Sequence, residues 1–94
     1  MKIRFYLDSA TGQPHIHGHD VDETEVADVL ENPGEDRPGR RGSRVVIGQT
    51  SAGRYLRVVY VRDPEPDGVF VITAYDLSGT QLTAYRRRRR RKGR

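Results

Sequence analysis

Arg44-Val45-Val46-Ile47-Gly48-Gln49-Thr50, the connector Ser51-Ala52-Gly53, and Arg54-Tyr55-Leu56-Arg57-Val58-Val59-Tyr60-Val61 make up the stretch that decides the fold. Both flanking runs are rich in Val, Ile and Tyr, whose branched or aromatic side chains pack well on a pleated, half-buried surface. A connector this short, ending in glycine, reads as a hairpin turn. Downstream, Asp63-Pro64-Glu65-Pro66-Asp67-Gly68 reads as a second turn and Val69-Phe70-Val71-Ile72-Thr73-Ala74-Tyr75 as a third strand. That last run is the most continuously apolar of the chain, which places it centrally in the sheet. The three strands are expected to form an antiparallel meander.

Upstream, Lys2-Ile3-Arg4-Phe5-Tyr6-Leu7 alternates apolar and charged residues and stops at Asp8-Ser9 and Thr11-Gly12, as a first strand does. Val26, Val29 and Leu30 then keep the i, i+3, i+4 spacing of one helix face. Asp22 is placed to cap that helix, with Glu25 as its capping-box partner, and Asn32-Pro33-Gly34 ends it. A short helical turn is expected over His15 to Gly18. The Pro-, Gly- and Arg-rich segment Glu35 to Ser43 reads as an exposed loop. After the third strand of the meander, Ser78 and Gln81 form a second capping-box pattern, Leu82 and Tyr85 share a face, and arginines continue the helix until self-repulsion frays it by about Arg88. The expected fold is α+β with a small antiparallel sheet: a strand, one or two helices, a three-stranded meander and a C-terminal helix. Residues 1–88 read as a single domain and 89–94 as a basic extension.

Composition bounds what such a chain can do. Its 94 residues are 34% apolar, so the core is modest. With no cysteine, disulfides, thiolate catalysis and Cys-ligated metals are excluded. No apolar run approaches the length of a membrane span, which makes the cytoplasm the default compartment. The net charge of +4 conceals a strong segregation. Residues 86–94 carry seven arginines and one lysine, and without those charges the remainder stands at −4. Asp20 to Asp36 holds eight acids and no Lys or Arg. Such asymmetry speaks of partners rather than of fold.

Several residues are candidates for chemistry. His15, His17 and His19 invite a metal reading, but Pro14 precedes them and a helix follows, so the rings need not converge; no metal and no cofactor is assigned. Arg37, Arg40, Arg41 and Arg44 lie on or beside a pliable loop suited to phosphate contacts, or simply to solvation. The run Arg86, Arg87, Arg88 and onward is the strongest compositional signal, because guanidinium forks engage phosphate or carboxylate in pairs of hydrogen bonds. No nucleophile–base motif or Gly-rich phosphate loop is visible. Arginine, tyrosine and histidine would nevertheless suffice for RNA cleavage, the cations stabilising phosphorane charge while a ring group moves the proton.

The run His15-Ile16-His17-Gly18-His19-Asp20-Val21, with Glu25-Val26 and Val29-Leu30-Glu31-Asn32-Pro33, resembles the helix pair of BrnT-like toxins. Gly48-Gln49-Thr50, Gly53-Arg54-Tyr55-Leu56-Arg57-Val58-Val59 and Val71-Ile72-Thr73-Ala74 are similar to that family's hairpin and last strand, and Tyr85-Arg86-Arg87-Arg88 to its terminal helix. The resemblance implies a RelE/ParE-like fold and a ribonuclease toxin of a type II toxin–antitoxin pair, with RNA and a cognate antitoxin as partners. It assigns His19, Arg54, Tyr75 and Tyr85 to catalysis and also marks Arg44 and Arg86. The chain departs from the pattern at Asp20, where the family has glycine, and at Tyr75, where it has arginine.

Two functional expectations follow. One is a metal-independent RNA-cleaving toxin; the other is a non-catalytic module that uses the arginine-rich helix to hold nucleic acid or an acidic protein. A homo-oligomer pairing one copy's tail with another's acidic helix is a third.

Overall fold

The computed structural model describes residues 1–92. In chain order it contains β1 (Lys2–Phe5), a 3-10 turn (His15–His19), α1 (Glu23–Glu31), β2 (Glu35–Pro38), a second 3-10 turn (Arg40–Gly42), β3 (Arg44–Gln49), β4 (Tyr55–Arg62), β5 (Gly68–Asp76) and α2 (Gly79–Lys92). The β3–β4 hairpin closes where its connector predicts. Gly53 adopts φ 97°, and its N–H donates to the Thr50 carbonyl at 2.9 Å, while the Thr50 N–H donates to the Arg54 carbonyl at 2.8 Å. The meander is antiparallel as expected, with Val58 opposite both Val46 and Ala74.

Three features differ from the sequence reading. First, the sheet has five strands in the order β1-β5-β4-β3-β2, so β4 is central and β5 is its neighbour. Second, the sheet is mixed: β1 runs parallel to β5, with Lys2 opposite Gly68 and Phe5 opposite Val71. Alternation shows that Lys2–Phe5 is a strand but not which edge it joins. The choice falls to β5, whose apolar edge would otherwise leave backbone donors and acceptors unpaired. Third, Glu35–Pro38 is not loop but the edge strand β2, antiparallel to β3. Its charges and terminal proline are what an exposed edge tolerates, which is why the composition imitates a loop.

The sheet divides the core in two. On one face, α1 and the first 3-10 turn bury Ile16, Val21, Val26, Val29, Val46, Leu56, Val58, Val71 and Ala74. The Asp22–Glu25 capping box forms in both directions, with bonds of 2.8 and 3.0 Å, a device that stabilises a helix start by about 1 kcal/mol. On the other face, α2 covers only a smaller cluster of Val45, Ile47, Leu77 and Tyr85, flanked by Tyr55, Val59 and Leu82. Gly79, at φ 61°, turns the chain into α2, a conformation glycine adopts without strain, and the helix opens directly after Ser78, whose carbonyl accepts from the Leu82 N–H at 3.3 Å. Contrary to the expected fraying, α2 continues past Arg88 to Lys92, while the end of the basic extension, residues 93–94, lies outside the described residues.

Candidate nucleic-acid interface

Six consecutive arginines, Arg86 to Arg91, repel one another along α2. Several contacts hold them in a helix. Tyr85, 4% exposed, is seated beneath α2 with its ring centroid 6.1 Å from that of Tyr55. Burial pushes its phenol pKa up. Gly34 permits this seat, since a side chain there would collide with the Tyr85 hydroxyl. One turn further on, Arg88 donates Nε and Nη2 to the two oxygens of Glu35 at 2.6 and 2.9 Å. Arg89 Nη1 donates to the Gly34 carbonyl at 3.0 Å, and the Arg86 guanidinium lies 4.9 Å over the Tyr55 ring. The helix dipole also favours cations near this C-terminal end. The i, i+3, i+4 set Tyr85, Arg88 and Arg89 thus faces the body.

The remaining arginines face outward. Arg87, Arg90 and Arg91 are exposed and make no ion pair among the described residues. Between α2 and the turn after α1 runs a groove of about 450 Å³, lined by Tyr55, Tyr85, Arg86, Arg89 and Arg90 together with Gln49 and the Asn32-Pro33-Gly34 turn. Tyr85 is buried and the Arg86 guanidinium lies over Tyr55, so what the groove offers a polyanion is its arginines rather than stacking rings.

The loop arginines do not act as one set. Arg44 turns to the α1 face, where its Nε donates to Asp36 at 2.8 Å and Tyr60 donates to the same carboxylate at 3.1 Å. Arg37 reaches Glu35 at 3.5 Å. Arg40 and Arg41 are exposed on the second 3-10 turn, with Arg41 at φ 55°.

Of the four residues the resemblance assigns to catalysis, His19 and Tyr75 are brought together, their ring centroids 5.9 Å apart. Arg54 joins their neighbours. Its Nε donates to Asp76 at 2.7 Å, and its Nη1 donates to the Asp20 carbonyl at 2.6 Å and to Glu25 at 3.0 and 3.1 Å. The bond to Asp76, then that to Glu25, raises the Arg54 pKa, and Asp76 is correspondingly lowered. Tyr85 stands apart, buried under α2. The other histidines go separate ways: His15 Nδ1 lies 2.9 Å from Asp8 and His17 Nε2 lies 2.7 Å from Glu23. Among the described residues, no three His, Asp or Glu side chains are placed to hold a metal ion.

Sequence reasoning misses Arg57. It sits mid-strand in β4, opposite Ile47 on one side and Tyr75 on the other. Its Nε is sealed from solvent and has no hydrogen-bond partner among the described residues. The one available signal is a charge in the middle of the apolar run Leu56-Arg57-Val58-Val59. Among the described residues, no helix is long and apolar enough to cross a membrane.

Neither the curated proteins nor the solved structures contain a match to this chain. The family model described as Domain of unknown function (DUF4258) matches residues 15–76, from the first 3-10 turn to the end of β5, leaving β1 and α2 outside the matched span. That match covers more than half of the sequence, and the chain belongs to the DUF4258 family.

Proposed function

We propose that this protein is a nucleic-acid-binding module that presents α2 to the phosphate backbone and carries out no chemistry on it. The observation that carries the reading is the docking of α2. Tyr85 and Arg88 fix the helix to the sheet, while Arg87, Arg90 and Arg91 are exposed without carboxylate partners among the described residues. A basic segment held in a helix presents its charges in a fixed array, at less ordering cost on binding than a disordered one. Fluorescence anisotropy with a single-stranded RNA oligomer tests this. The wild-type chain should bind, and the Arg87→Gln/Arg90→Gln/Arg91→Gln variant should bind at least roughly tenfold more weakly. Equal affinity of the two proteins would sink the reading. Tight binding of an acidic protein with no binding of RNA would move α2 to the other polyanion class.

A second reading, the ribonuclease toxin neutralised by an antitoxin, is favoured by one specific arrangement. Tyr75 stands where the resemblance expects a strand-borne arginine, and its cross-strand partner is Arg57, with the His19 ring on its other side. A phenol and an imidazole therefore stand near one another beside β5, with an arginine paired to the tyrosine across the strands. Expression of the chain alone in a bacterial host should then arrest growth, and Tyr75→Phe or Arg57→Gln should relieve the arrest. Intact mRNA and normal growth from folded protein would remove this reading and leave the first in place.

A further inference from the structure

The orphaned Arg57 belongs to a site of its own. Its side chain shares a groove of about 540 Å³ with Arg37, Arg40, Ser43, Val45 and Val59. Among the described residues, three guanidinium groups line this groove and no acid does. Arg57 is half-buried, but its sealed Nε–H lacks a partner among the described residues, and native proteins rarely leave a buried donor unmatched without a compensating role. Arg37 is only loosely paired: it shares Glu35, at 3.5 Å, with Arg88, which holds that carboxylate at 2.6 and 2.9 Å.

The rim is shaped as well as charged. The Gly39 N–H donates to the Ser43 carbonyl at 2.8 Å and the Ser43 N–H to the Arg40 carbonyl at 3.0 Å, folding the turn back over Val45. A side chain at Gly39 would fall 2.6 Å from the Ser43 hydroxyl and 3.1 Å from Val45, so the turn is closed tightly enough that Ser43 would have to shift to admit one. Within the turn, Arg41 at φ 55° and Gly42 at φ 78° both take left-handed backbone, uncommon for an arginine.

We infer that this groove is an oxyanion site for a phosphate ester, with Arg57 as its floor and Arg37 and Arg40 as its rim. Guanidinium forks match the oxygens of phosphate in pairs, and an anion in the groove supplies the counter-charge that Arg57 does not find among the described residues. None of the described α2 arginines lines it, so the site stands whether or not α2 binds nucleic acid. The phosphate can come from a nucleotide or from a diester within an RNA strand.

The test is a titration of the full chain, followed by NMR at the arginine Nε–H groups and the Gly39 and Ser43 amides. Three probes are used: inorganic phosphate, adenosine monophosphate and a dinucleoside monophosphate. Saturable shifts at the Arg57 Nε–H and the turn amides are expected with at least one probe. Affinity should fall at least roughly tenfold in Arg57→Gln, the loss that accompanies removal of one charge-assisted partner. It should fall comparably in Arg37→Gln/Arg40→Gln, whose exposed substitutions leave folding intact even if Arg57→Gln does not fold. Arg62→Gln, which removes a charge elsewhere on the surface, should leave it unchanged. Preference for adenosine monophosphate assigns the site to nucleotides, and preference for the diester assigns it to a strand. Absence of saturable shifts with all three probes, or equal weakening by Arg62→Gln, overturns the inference.

Discussion

The two faces of the sheet solve the same problem differently. On the α1 side, charges are paired: Arg54 serves Asp76, Glu25 and the Asp20 carbonyl, and Arg44 serves Asp36. On the α2 side, Arg57 has an unmatched Nε and Arg87, Arg90 and Arg91 have no ion pairs among the described residues. Arg54 and Arg57 are separated only by Tyr55 and Leu56, yet one is a clamp and the other is held in reserve. The contrast teaches that an arginine count says little. What matters is which guanidinium groups the fold has already committed to its own carboxylates.

That contrast can be broken in several places. The largest effect is expected in the core. Leu56→Ala, fully buried on the α1 face, should cost roughly 2–5 kcal/mol, whereas Val59→Ala on the half-covered face should cost much less. Equal losses in urea unfolding would mean the faces are packed alike. The arginine pair comes next. Arg54→Met should destabilise by roughly 1–2 kcal/mol, because it breaks the bonds to Asp76, Glu25 and the Asp20 carbonyl. Water still reaches Asp76, and Glu25 keeps its bond from the Asp22 N–H, which limits the loss. Arg57→Met should leave stability unchanged or raise it. The reverse order would refute the assignment of clamp and reserve.

Much of this architecture is legible from the residues. The hairpin, the capped α1 and its buried Val26, Val29 and Leu30 follow from local rules that need no tertiary information. The parallel seat of β1 and the pairing of β2 do not, because strand partnership is settled by which backbone edge remains open after the rest has folded. The persistence of α2 is likewise hidden: it depends on Glu35 meeting Arg88 and on Gly34 making room for Tyr85, pairings far apart along the chain. His19 and Tyr75 are singled out by resemblance, and the fold does bring them together. Arg57 escapes sequence reading because a charge inside a strand looks like a solvent-facing position until the groove beside it is seen.

The anchoring of α2 gives a further prediction. Gly34→Ala forces a side chain into the Tyr85 hydroxyl and should cost about 1–3 kcal/mol as overpacking. Trypsin, which cuts after arginine, should then cleave α2 faster than in wild type; unchanged cleavage would mean that Tyr85 does not fix the helix. The smallest expected effects are in pH dependence. The Arg54 bond lowers the Asp76 pKa, so its contribution is present above the unfolded carboxylate value near pH 4 and is lost as pH falls through the folded value. Asp76→Asn should flatten that acid limb. Burial raises the Tyr85 pKa, so its contribution is present below about pH 10 and is lost as pH climbs through the folded value. Tyr85→Phe should flatten the alkaline limb. Urea midpoints across the pH range check both.

The most direct test of α2 as the polyanion surface is the salt dependence of single-stranded RNA affinity. Replacing Arg87, Arg90 and Arg91 with glutamine should reduce the log–log slope by roughly 2, at about 0.7 for each phosphate that is no longer neutralised. A slope identical to that of the wild type would place the phosphate-binding surface elsewhere on the molecule and contradict the account.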